Sequence, residues 1–180
     1  MIYIRPVGAV DPVILQWLRK EVADTFLATV REMPPMSVPP ASFEAGRNQH
    51  SSTKILKELL GEVPKDALKL LGITGMDLCI PILTYVFGEA QLGGTAAVVS
   101  TARLRQEFYG GAPDRPLFLE RVRKESLHEL GHTFGLIHCR SGECVMHLSN
   151  TVVDVDAKGR NFCTYCRTVA ASNAGGGSGK

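Results

Sequence analysis

The most regular pattern of apolar and polar residues lies near the N-terminus. Apolar side chains recur every fourth position, as Ile14, Leu18, Val22, Phe26 and Val30. This spacing puts them on one face of an α-helix, which we predict from Pro12 to about Arg31. Asp11 and Pro12 suit the N-cap and the first turn. Residues 1–10 favour a strand, so the helix is expected to pack on a sheet.

Shorter patterns place the other elements before residue 136. Three more helices are predicted, at residues 51–60, 66–71 and 114–134. Two more strands are predicted, at residues 76–87 and 95–101, and Pro81 indicates a bend or an edge position in the first of them. The segments expected to be extended or looped are residues 33–40, which contain four prolines, 88–94 and 106–113.

The periodic patterns end after residue 135. Cysteines and turn residues predominate as far as residue 166, which indicates a small irregular lobe held by a metal. From Arg167 onward, and most clearly from Asn173, glycines and small polar residues predict a disordered tail.

Composition and charge indicate an ordinary globular protein. The chain has 180 residues, 44% of them hydrophobic and 21% charged, with a net charge of +2. This balance gives no reason to expect nucleic acid or a membrane surface as a partner. No apolar run is long enough to span a bilayer, and the N-terminus lacks the pattern of a signal peptide. We expect one domain, a monomer and a cytoplasmic location.

The candidate chemistry lies on the helix predicted at residues 114–134. His128 and His132 are four residues apart, so both imidazoles can face one metal ion from the same side of the helix. Glu129 lies one position round, where a general base for a metal-activated water belongs. Gly135 can end the helix in a left-handed conformation and let the chain return His138 as a third ligand. Three histidines and one open position are typical of catalytic zinc.

Alternative roles for the histidines fit the pattern less well. Histidines on an ordinary helix would not account for three of the five in the chain falling into this spacing. The gluzincin type of zinc site needs a downstream glutamate, whereas the corresponding stretch offers only Asp154 and Asp156. Peptide deformylases use an upstream cysteine as a ligand, but Cys79 lies in an apolar strand and is expected to pack in the core.

The whole pattern, H-E-x-x-H-x-x-G-x-x-H, resembles the metzincin metalloproteases. Cysteines and a methionine follow it at Cys139, Cys144, Met146, Cys163 and Cys166. This run is similar to the archaemetzincin family, as are residues 87–90 and 100–104, less specifically. The resemblance implies a zinc-dependent peptidase acting on peptides or proteins.

The resemblance also implies a fold class and an arrangement of parts. The fold is expected to be α/β (α+β) and metzincin-like, with a twisted mixed sheet, a backing helix and an active-site helix. Residues 1–135 would form an upper subdomain and residues 136–170 a lower one, followed by the disordered tail at 171–180. Met146 corresponds to the methionine that lies under the histidines. Residues 95–101 are a candidate for the edge strand that aligns a peptide, although an internal strand fits the pattern equally.

The cysteines form two closely spaced pairs, Cys139 with Cys144 and Cys163 with Cys166. Four thiolates in this arrangement suit a structural zinc, which would bring the total to two zinc ions per chain. Two disulfides or an iron–sulfur cluster are the alternatives, and a reducing cytoplasm disfavours disulfides. Because neighbouring side chains of an extended segment point in opposite directions, His138 and Cys139 are expected to bridge the two metal sites.

The predicted function is peptide hydrolysis with Glu129 as the general base. The first alternative is a zinc-binding regulatory protein on the same fold, although such a protein would not need Glu129. The second is a narrow aminopeptidase. The sequence shows no obvious feature for holding a free amino terminus, and Glu89, Asp114 and Glu143 are the remaining candidates.

Overall fold

The computed structural model describes residues 1–175. These residues form two β-sheets and five α-helices. The helices are α1 (Pro12–Phe26), α2 (Ser52–Gly61), α3 (Arg115–Thr133), α4 (Val152–Ala157) and α5 (Thr164–Gly175). The strands are β1 (Ile2–Val7), β2 (Val30–Glu32), β3 (Phe43–Glu44), β4 (Gln49–Ser51), β5 (Lys69–Thr74), β6 (Leu78–Ile80), β7 (Leu83–Val86), β8 (Gly88–Ala90) and β9 (Ala96–Ser100). The α/β class expected from the sequence is confirmed.

The larger sheet has five strands in the order β2-β1-β5-β9-β8. The first four are parallel, and β8 pairs antiparallel with β9 through Gly88↔Val99, Glu89↔Val98 and Ala90↔Ala97. Strand β9 therefore lies inside the sheet, so of the two alternatives for residues 95–101 the internal strand is correct and the edge strand is wrong. The edge is β8, which the sequence pattern places in a loop because three residues with a glycine carry no detectable strand signal.

Helices cover both faces of this sheet. Helices α1 and α3 lie on one face, where Leu18, Val22 and Leu127 share a core with alternate strand residues such as Ile4 and Val99. Helix α2 covers the other face, where Ile55 and Leu59 pack against Leu70 and Val98. This alternation follows from strand geometry, because successive side chains point to opposite faces.

The predicted boundaries of two elements are wrong. Helix α1 ends at Phe26 because Leu27 adopts a left-handed conformation, and Val30 then pairs with Ile2 in strand β2. The helix expected at residues 66–71 is not present: residues 69–71 are the start of β5, all six residues of which are buried, and residues 66–68 precede the strand. A strand buried on both faces has a continuous apolar run, which cannot be told from a short buried helix by periodicity.

The smaller sheet has the strand order β3-β4-β6-β7. It contains the segment predicted as one strand at residues 76–87, which bends back at Pro81 and Ile82 so that Ile80 pairs with Leu83. Pro81 therefore marks a hairpin turn, in agreement with the expected bend. Strand β7 leads directly into edge strand β8.

The C-terminal part is more ordered than the sequence predicts. Helix α5 extends to Gly175, so the disordered tail expected from residue 167 or 171 is wrong for the described residues. The last five residues, 176–180, lie outside the described part of the chain. Within residues 1–175, no helix combines the length and the apolar character needed to cross a membrane.

Candidate metal centre

Helix α3 carries the first two histidines of the motif. Its N-terminus is capped by Asp114, whose carboxylate accepts the Leu117 N–H at 3.0 Å. The helix passes through the interior, and His128 and Glu129 are buried. The Nε2 atoms of His128 and His132 lie 3.1 Å apart. Two nitrogen ligands of a tetrahedral zinc are about 3.3 Å apart, given Zn–N distances near 2.0–2.1 Å, so this spacing fits zinc.

The end of α3 has the geometry that the sequence predicts for Gly135. Gly135 adopts φ = +82°. Its N–H donates to the His132 carbonyl at 2.9 Å, and the Leu136 N–H donates to the Gly131 carbonyl at 3.1 Å. These two bonds form a Schellman motif, in which a left-handed residue reverses the chain. The turn directs the chain back towards the two helical histidines.

His138 joins His128 and His132 after this turn. One ring nitrogen from each of the three histidines lies within 4.8 Å of the others. The ring centroid of His138 is 5.3 Å from that of His128 and 5.0 Å from that of His132. His138 is exposed, whereas His128 is buried, so the site opens to solvent on the His138 side. The predicted set of three convergent imidazoles is present.

Hydrogen bonds at the other ring nitrogens fix how two of these imidazoles point. Nδ1 of His128 donates to the Val145 carbonyl at 2.9 Å, and Nδ1 of His132 donates to the Leu136 carbonyl at 2.7 Å. This leaves each Nε2 as the lone-pair nitrogen facing the cluster. Burial lowers the pKa of all three imidazoles, most strongly that of His128. Neutral imidazoles are the form that binds a metal.

Glu129 lies beside the histidines against edge strand β8. Its side chain packs on Gly88, which has no Cβ to occupy the space. Loss of hydration, followed by the nearby charge of Glu125, raises the pKa of Glu129 well above its usual value. A raised pKa makes the ionised carboxylate a stronger proton acceptor than an exposed glutamate.

These groups form the floor of a cleft of about 660 Å³. Strands β7 and β8 form one wall, and Ile137 with the residues after Met146 forms the other. Glu125, His128, Glu129 and His132 come from α3 below. Largely apolar lining with a few polar groups on the floor is typical of a substrate site.

The four motif cysteines form a second cluster. Their sulfur atoms lie within 4.8 Å of one another, and none is in a disulfide. The Sγ atoms of Cys139 and Cys163 are 4.0 Å apart, close to the roughly 3.8 Å expected for two thiolates on tetrahedral zinc. A backbone N–H of Cys166 lowers the pKa of Cys163 to about 7, whereas burial raises the pKa of Cys144 and of Cys166.

The two clusters meet at adjacent residues. His138 faces the histidine cluster and Cys139 faces the cysteine cluster. The Cys139 N–H donates to the Met146 carbonyl at 2.9 Å. Met146 is fully buried, and its sulfur packs so closely on Gly131 that a Cβ there would clash with it. The segment that carries the third histidine is thus tied to the methionine beneath the active-site helix.

Sequence reasoning missed two charged residues behind the histidines. The side chains of Lys158 and Glu125 are 0% and 3% exposed, respectively. Nζ of Lys158 lies 2.7 Å from Oε1 of Glu125. The Lys158 Nζ is also 3.3 Å from Nδ1 of His128. That nitrogen already donates to Val145, so the second contact is not a hydrogen bond. The two charges come from distant parts of the chain, and no local pattern predicts their contact.

The other acidic residues considered as zinc ligands or as substrate-binding groups lie elsewhere in the structure. Asp114 caps α3 and Asp154 caps α4, while Asp156 pairs with Arg121 at 2.6 Å. Glu143 is exposed and is not among the residues that line the cleft. Neither Asp154 nor Asp156 therefore supports a gluzincin-like site.

Glu89 and Cys79 complete the set of sequence candidates. Glu89 lines the cleft, but its carboxylate accepts hydrogen bonds from Ser52 at 2.5 Å and from Thr53 at 3.0 and 3.1 Å. Cys79 is buried in β6, where burial raises its pKa. It is apart from both clusters, in agreement with its expected packing role.

Comparisons with known proteins agree with this geometry. Residues 41–170 match the model of peptidase family M54. The chain is 41% identical to the archaemetzincin of Methanocaldococcus jannaschii, over 92% of this chain and 89% of that protein. It is 40% identical to the archaemetzincin of Archaeoglobus fulgidus, over 92% of this chain and 95% of that protein.

Solved structures give the same result. The crystal structure of archaemetzincin from Methanopyrus kandleri superposes with a TM-score of 0.85 at 35% identity, covering 96% of this chain and 94% of that one. The crystal structure of the A. fulgidus archaemetzincin complexed with malonate superposes with a TM-score of 0.81 at 39% identity, covering 93% of this chain and 98% of that one. The chain therefore belongs to peptidase family M54, the archaemetzincins, and is a zinc-dependent metallopeptidase.

Proposed function

We propose that the chain hydrolyses peptide bonds at a zinc ion held by His128, His132 and His138, with Glu129 as the general base. The observation that carries this proposal is the convergence of three ring nitrogens beside a buried carboxylate on the cleft floor. Nδ1 hydrogen bonds orient His128 and His132 with Nε2 towards the same point. The spacing of those nitrogens suits a tetrahedral ion.

Zinc in such a site polarises the substrate carbonyl and makes water acidic enough to attack at neutral pH. Glu129 takes a proton from the attacking water and passes it to the departing amine. Its raised pKa supports the first step, because it makes the ionised carboxylate a stronger proton acceptor. Edge strand β8 holds the peptide by main-chain hydrogen bonds along the wall of the cleft.

A second zinc is proposed at Cys139, Cys144, Cys163 and Cys166, giving two per chain. Sulfur spacing and the lowered pKa of Cys163 support this site. All five cysteines of the described residues are free thiols, which favours the zinc site over the disulfide alternative. Gly135 and Met146 support the first site, through the turn after α3 and through packing beneath the histidines.

We further propose that residues 1–135 and 136–170 act as upper and lower subdomains with the cleft between them. The upper part supplies β7, β8 and α3, and the lower part supplies the opposite wall and the third histidine. The monomeric state, the cytoplasmic location and the lack of nucleic-acid or membrane partners stay predictions. An aminopeptidase role for Glu89 is not favoured, because Ser52 and Thr53 already bind its carboxylate.

Digestion of a peptide library by the wild type and by Glu129→Ala tests the proposal. We expect cleavage by the wild type and none by the variant, with equal zinc content in both proteins. Glu143→Ala, which removes an exposed carboxylate outside the cleft, should cleave like the wild type. Equal cleavage by Glu129→Ala would exclude Glu129 as the base, and no cleavage by any of the three would favour the regulatory alternative.

A further inference from the structure

A hydrogen bond joins the two walls of the cleft. The hydroxyl of Tyr85, on strand β7, donates to the main-chain carbonyl of Asn150 at 2.7 Å, and both residues line the cleft. We propose that this bridge closes one end of the cleft and makes Tyr85 a specificity-determining residue, limiting how far a substrate extends beyond the scissile bond. The inference rests on the proposed peptidase function and adds a length limit to it.

The Tyr85 side of the bridge is held firmly from behind. The guanidinium of Arg103 lies 4.1 Å from the centre of the Tyr85 ring. Arg103 is in turn fixed by two hydrogen bonds to Asp77, at 2.7 and 2.8 Å. Phe87 packs edge-on against the same ring at 5.4 Å. The phenol is therefore positioned before it meets Asn150, so the bond does not depend on a freely rotating side chain.

The Asn150 side is fixed as well. Its main-chain N–H donates to Oδ2 of Asp154 at 3.0 Å. Asp154 belongs to the capping box at the start of α4, where the same carboxylate oxygen binds the N–H and hydroxyl of Thr151. The carbonyl that accepts the Tyr85 hydroxyl is thus part of an ordered turn. Both walls present fixed groups to each other, which distinguishes the bridge from a chance surface contact.

Contacts with α3 locate the bridge along the cleft. Gly88 lies against Glu129, and further along the chain the Gly93 N–H donates to the His132 carbonyl at 2.9 Å. The wall therefore runs beside α3 in the direction from Glu129 to His132. Tyr85 precedes Gly88 in the chain, so it lies at the end of this wall that is opposite to Gly93 and His132. Three residues of fully extended chain span about 10 Å, at about 3.3 Å per residue. Because the chain bends at Phe87, between β7 and β8, the bridge is at most about three residues from the base.

The direction of the substrate follows from strand pairing. Antiparallel pairs are more stable and more frequent than parallel ones, so a peptide is expected to run antiparallel to β8. Its residues after the scissile bond then extend towards Tyr85. The closed end should accept about three of them, whereas residues before the scissile bond extend past Leu92 and Ile137 at the other end.

Two series of peptides with a zinc-binding hydroxamate test this limit by affinity, independently of turnover. In one series, one to six residues follow the hydroxamate, and in the other the same residues precede it. Binding to the zinc-loaded protein is measured by calorimetry. For the wild type, we expect affinity in the first series to fall about 2- to 10-fold beyond about three residues, the equivalent of one hydrogen bond. The second series should show no such fall.

Tyr85→Phe is the decisive variant, because it removes the hydroxyl and keeps the ring. It should abolish the length limit in the first series. Tyr3→Phe is the matched control, since Tyr3 also donates a hydroxyl hydrogen bond, to the Asp66 carboxylate at 3.0 Å, but does not line the cleft. It should keep the limit.

Three outcomes would overturn the proposal. Affinity independent of length in the wild type, or the same fall in Tyr85→Phe, excludes the bridge as the limit. A fall confined to the second series excludes the proposed direction. If no hydroxamate binds the zinc-loaded protein, the catalytic zinc site itself is wrong, and the length limit is wrong with it.

Discussion

Gly88 on the edge strand and Glu129 on the active-site helix are in direct contact. A Cβ placed on Gly88 would lie 2.6 Å from Cγ of Glu129 and 2.7 Å from the Val98 carbonyl oxygen. Glycine weakens a strand and is found where two parts of a protein approach closely. Here it lets the edge strand lie against the proposed base, so that the groups that would align a peptide and activate water are adjacent.

Gly88→Ala should therefore impair catalysis more than metal binding. The methyl group must displace Glu129 or the strand, and a displacement of about 1 Å at a reacting group can cost about 100-fold in rate. We expect kcat/KM to fall by at least about 10-fold at unchanged zinc content, since the three atoms nearest to the new Cβ belong to Glu129 and Val98 and not to a histidine. Gly46→Ala is the control, because its Cβ would have no neighbour within 4 Å. Full activity of Gly88→Ala would show that the contact is not needed.

A second glycine, Gly131, should be equally intolerant for reasons of stability. Alanine normally stabilises a helix interior relative to glycine. At Gly131, however, a Cβ would clash with the Met146 sulfur and lie 3.1 Å from Cε1 of Phe162. We expect Gly131→Ala to lower the free energy of unfolding by about 1–3 kcal/mol, the usual cost of overpacking.

Urea denaturation of the metal-loaded protein measures the effect of Gly131→Ala. Gly61→Ala, at the open end of α2, is the control and should be neutral or slightly stabilising. A higher free energy of unfolding for Gly131→Ala than for the wild type would contradict the close packing of Met146 on the active-site helix.

The features that sequence alone predicts are those with a local physical cause. The spacing of His128 and His132 is a property of one helix, and the left-handed turn at Gly135 is a property of one residue. Both are found as predicted. The helix predicted at residues 66–71, of which residues 69–71 belong to β5, is wrong because its few apolar residues, such as Leu68, Leu70 and Leu71, form a stretch too short to show a period. The order of strands in a sheet has no local signature, so the sequence leaves open whether β9 is an edge or an internal strand, and the true edge, β8, is not predicted as a strand.

Contacts between single polar residues that are distant in sequence cannot be predicted from the sequence either, because they also have no local signature. Tyr85 and Asn150, like Glu125 and Lys158, are far apart in sequence and meet only after the sheet and the lower part have packed. Each lies in a stretch whose local pattern is ordinary. The sequence can therefore identify the proposed metal ligands, but not the groups that surround and enclose them.

The buried pair of Glu125 and Lys158 should be strongly coupled. Lys158→Met leaves the Glu125 carboxylate buried without its cation, which typically costs about 3–5 kcal/mol. The double variant Glu125→Gln with Lys158→Met removes both charges and should recover most of this loss. Lys20→Met, which breaks an exposed pair with Asp24, should change stability little. Additive effects of the two substitutions in a double-mutant cycle would contradict the coupling.

The raised pKa of Glu129 implies that the proposed catalytic carboxylate destabilises the metal-free fold. The folded state holds the Glu129 proton more tightly than the unfolded state, so ionisation costs stability. This cost is absent below about pH 4.5, grows as pH rises towards the raised pKa of the folded state, and is complete above it. Glu129→Gln removes the charge, and the metal-free variant should be more stable than the wild type at about pH 8.

The stability difference between Glu129→Gln and the wild type should shrink as pH falls towards about 4.5. Urea denaturation of both proteins after treatment with a chelator, from about pH 5 to about pH 8, measures it. The histidines are common to both proteins, so their titration cancels in the comparison. Glu143→Gln controls for the loss of an exposed carboxylate. A difference that grows on acidification would reverse the sign and contradict the raised pKa.

The cysteine cluster is expected to maintain the histidine cluster through the main chain. Cys139 follows His138 directly, and its N–H binds the Met146 carbonyl, while the Cys144 carbonyl accepts the His147 N–H at 2.9 Å. Cys144→Ser alters one sulfur and no histidine. We expect it to weaken the second zinc site, loosen the segment that carries His138 and lower zinc occupancy at the histidines as well.

Metal analysis of Cys144→Ser, together with hydroxamate binding to report on the histidine site, measures both effects. Cys79→Ser is the matched control, since it alters a buried sulfur that belongs to neither cluster. It should keep both zinc ions. Loss of a single zinc with unchanged hydroxamate affinity would show that the two sites are independent, and that the turn after α3 alone is sufficient to position His138.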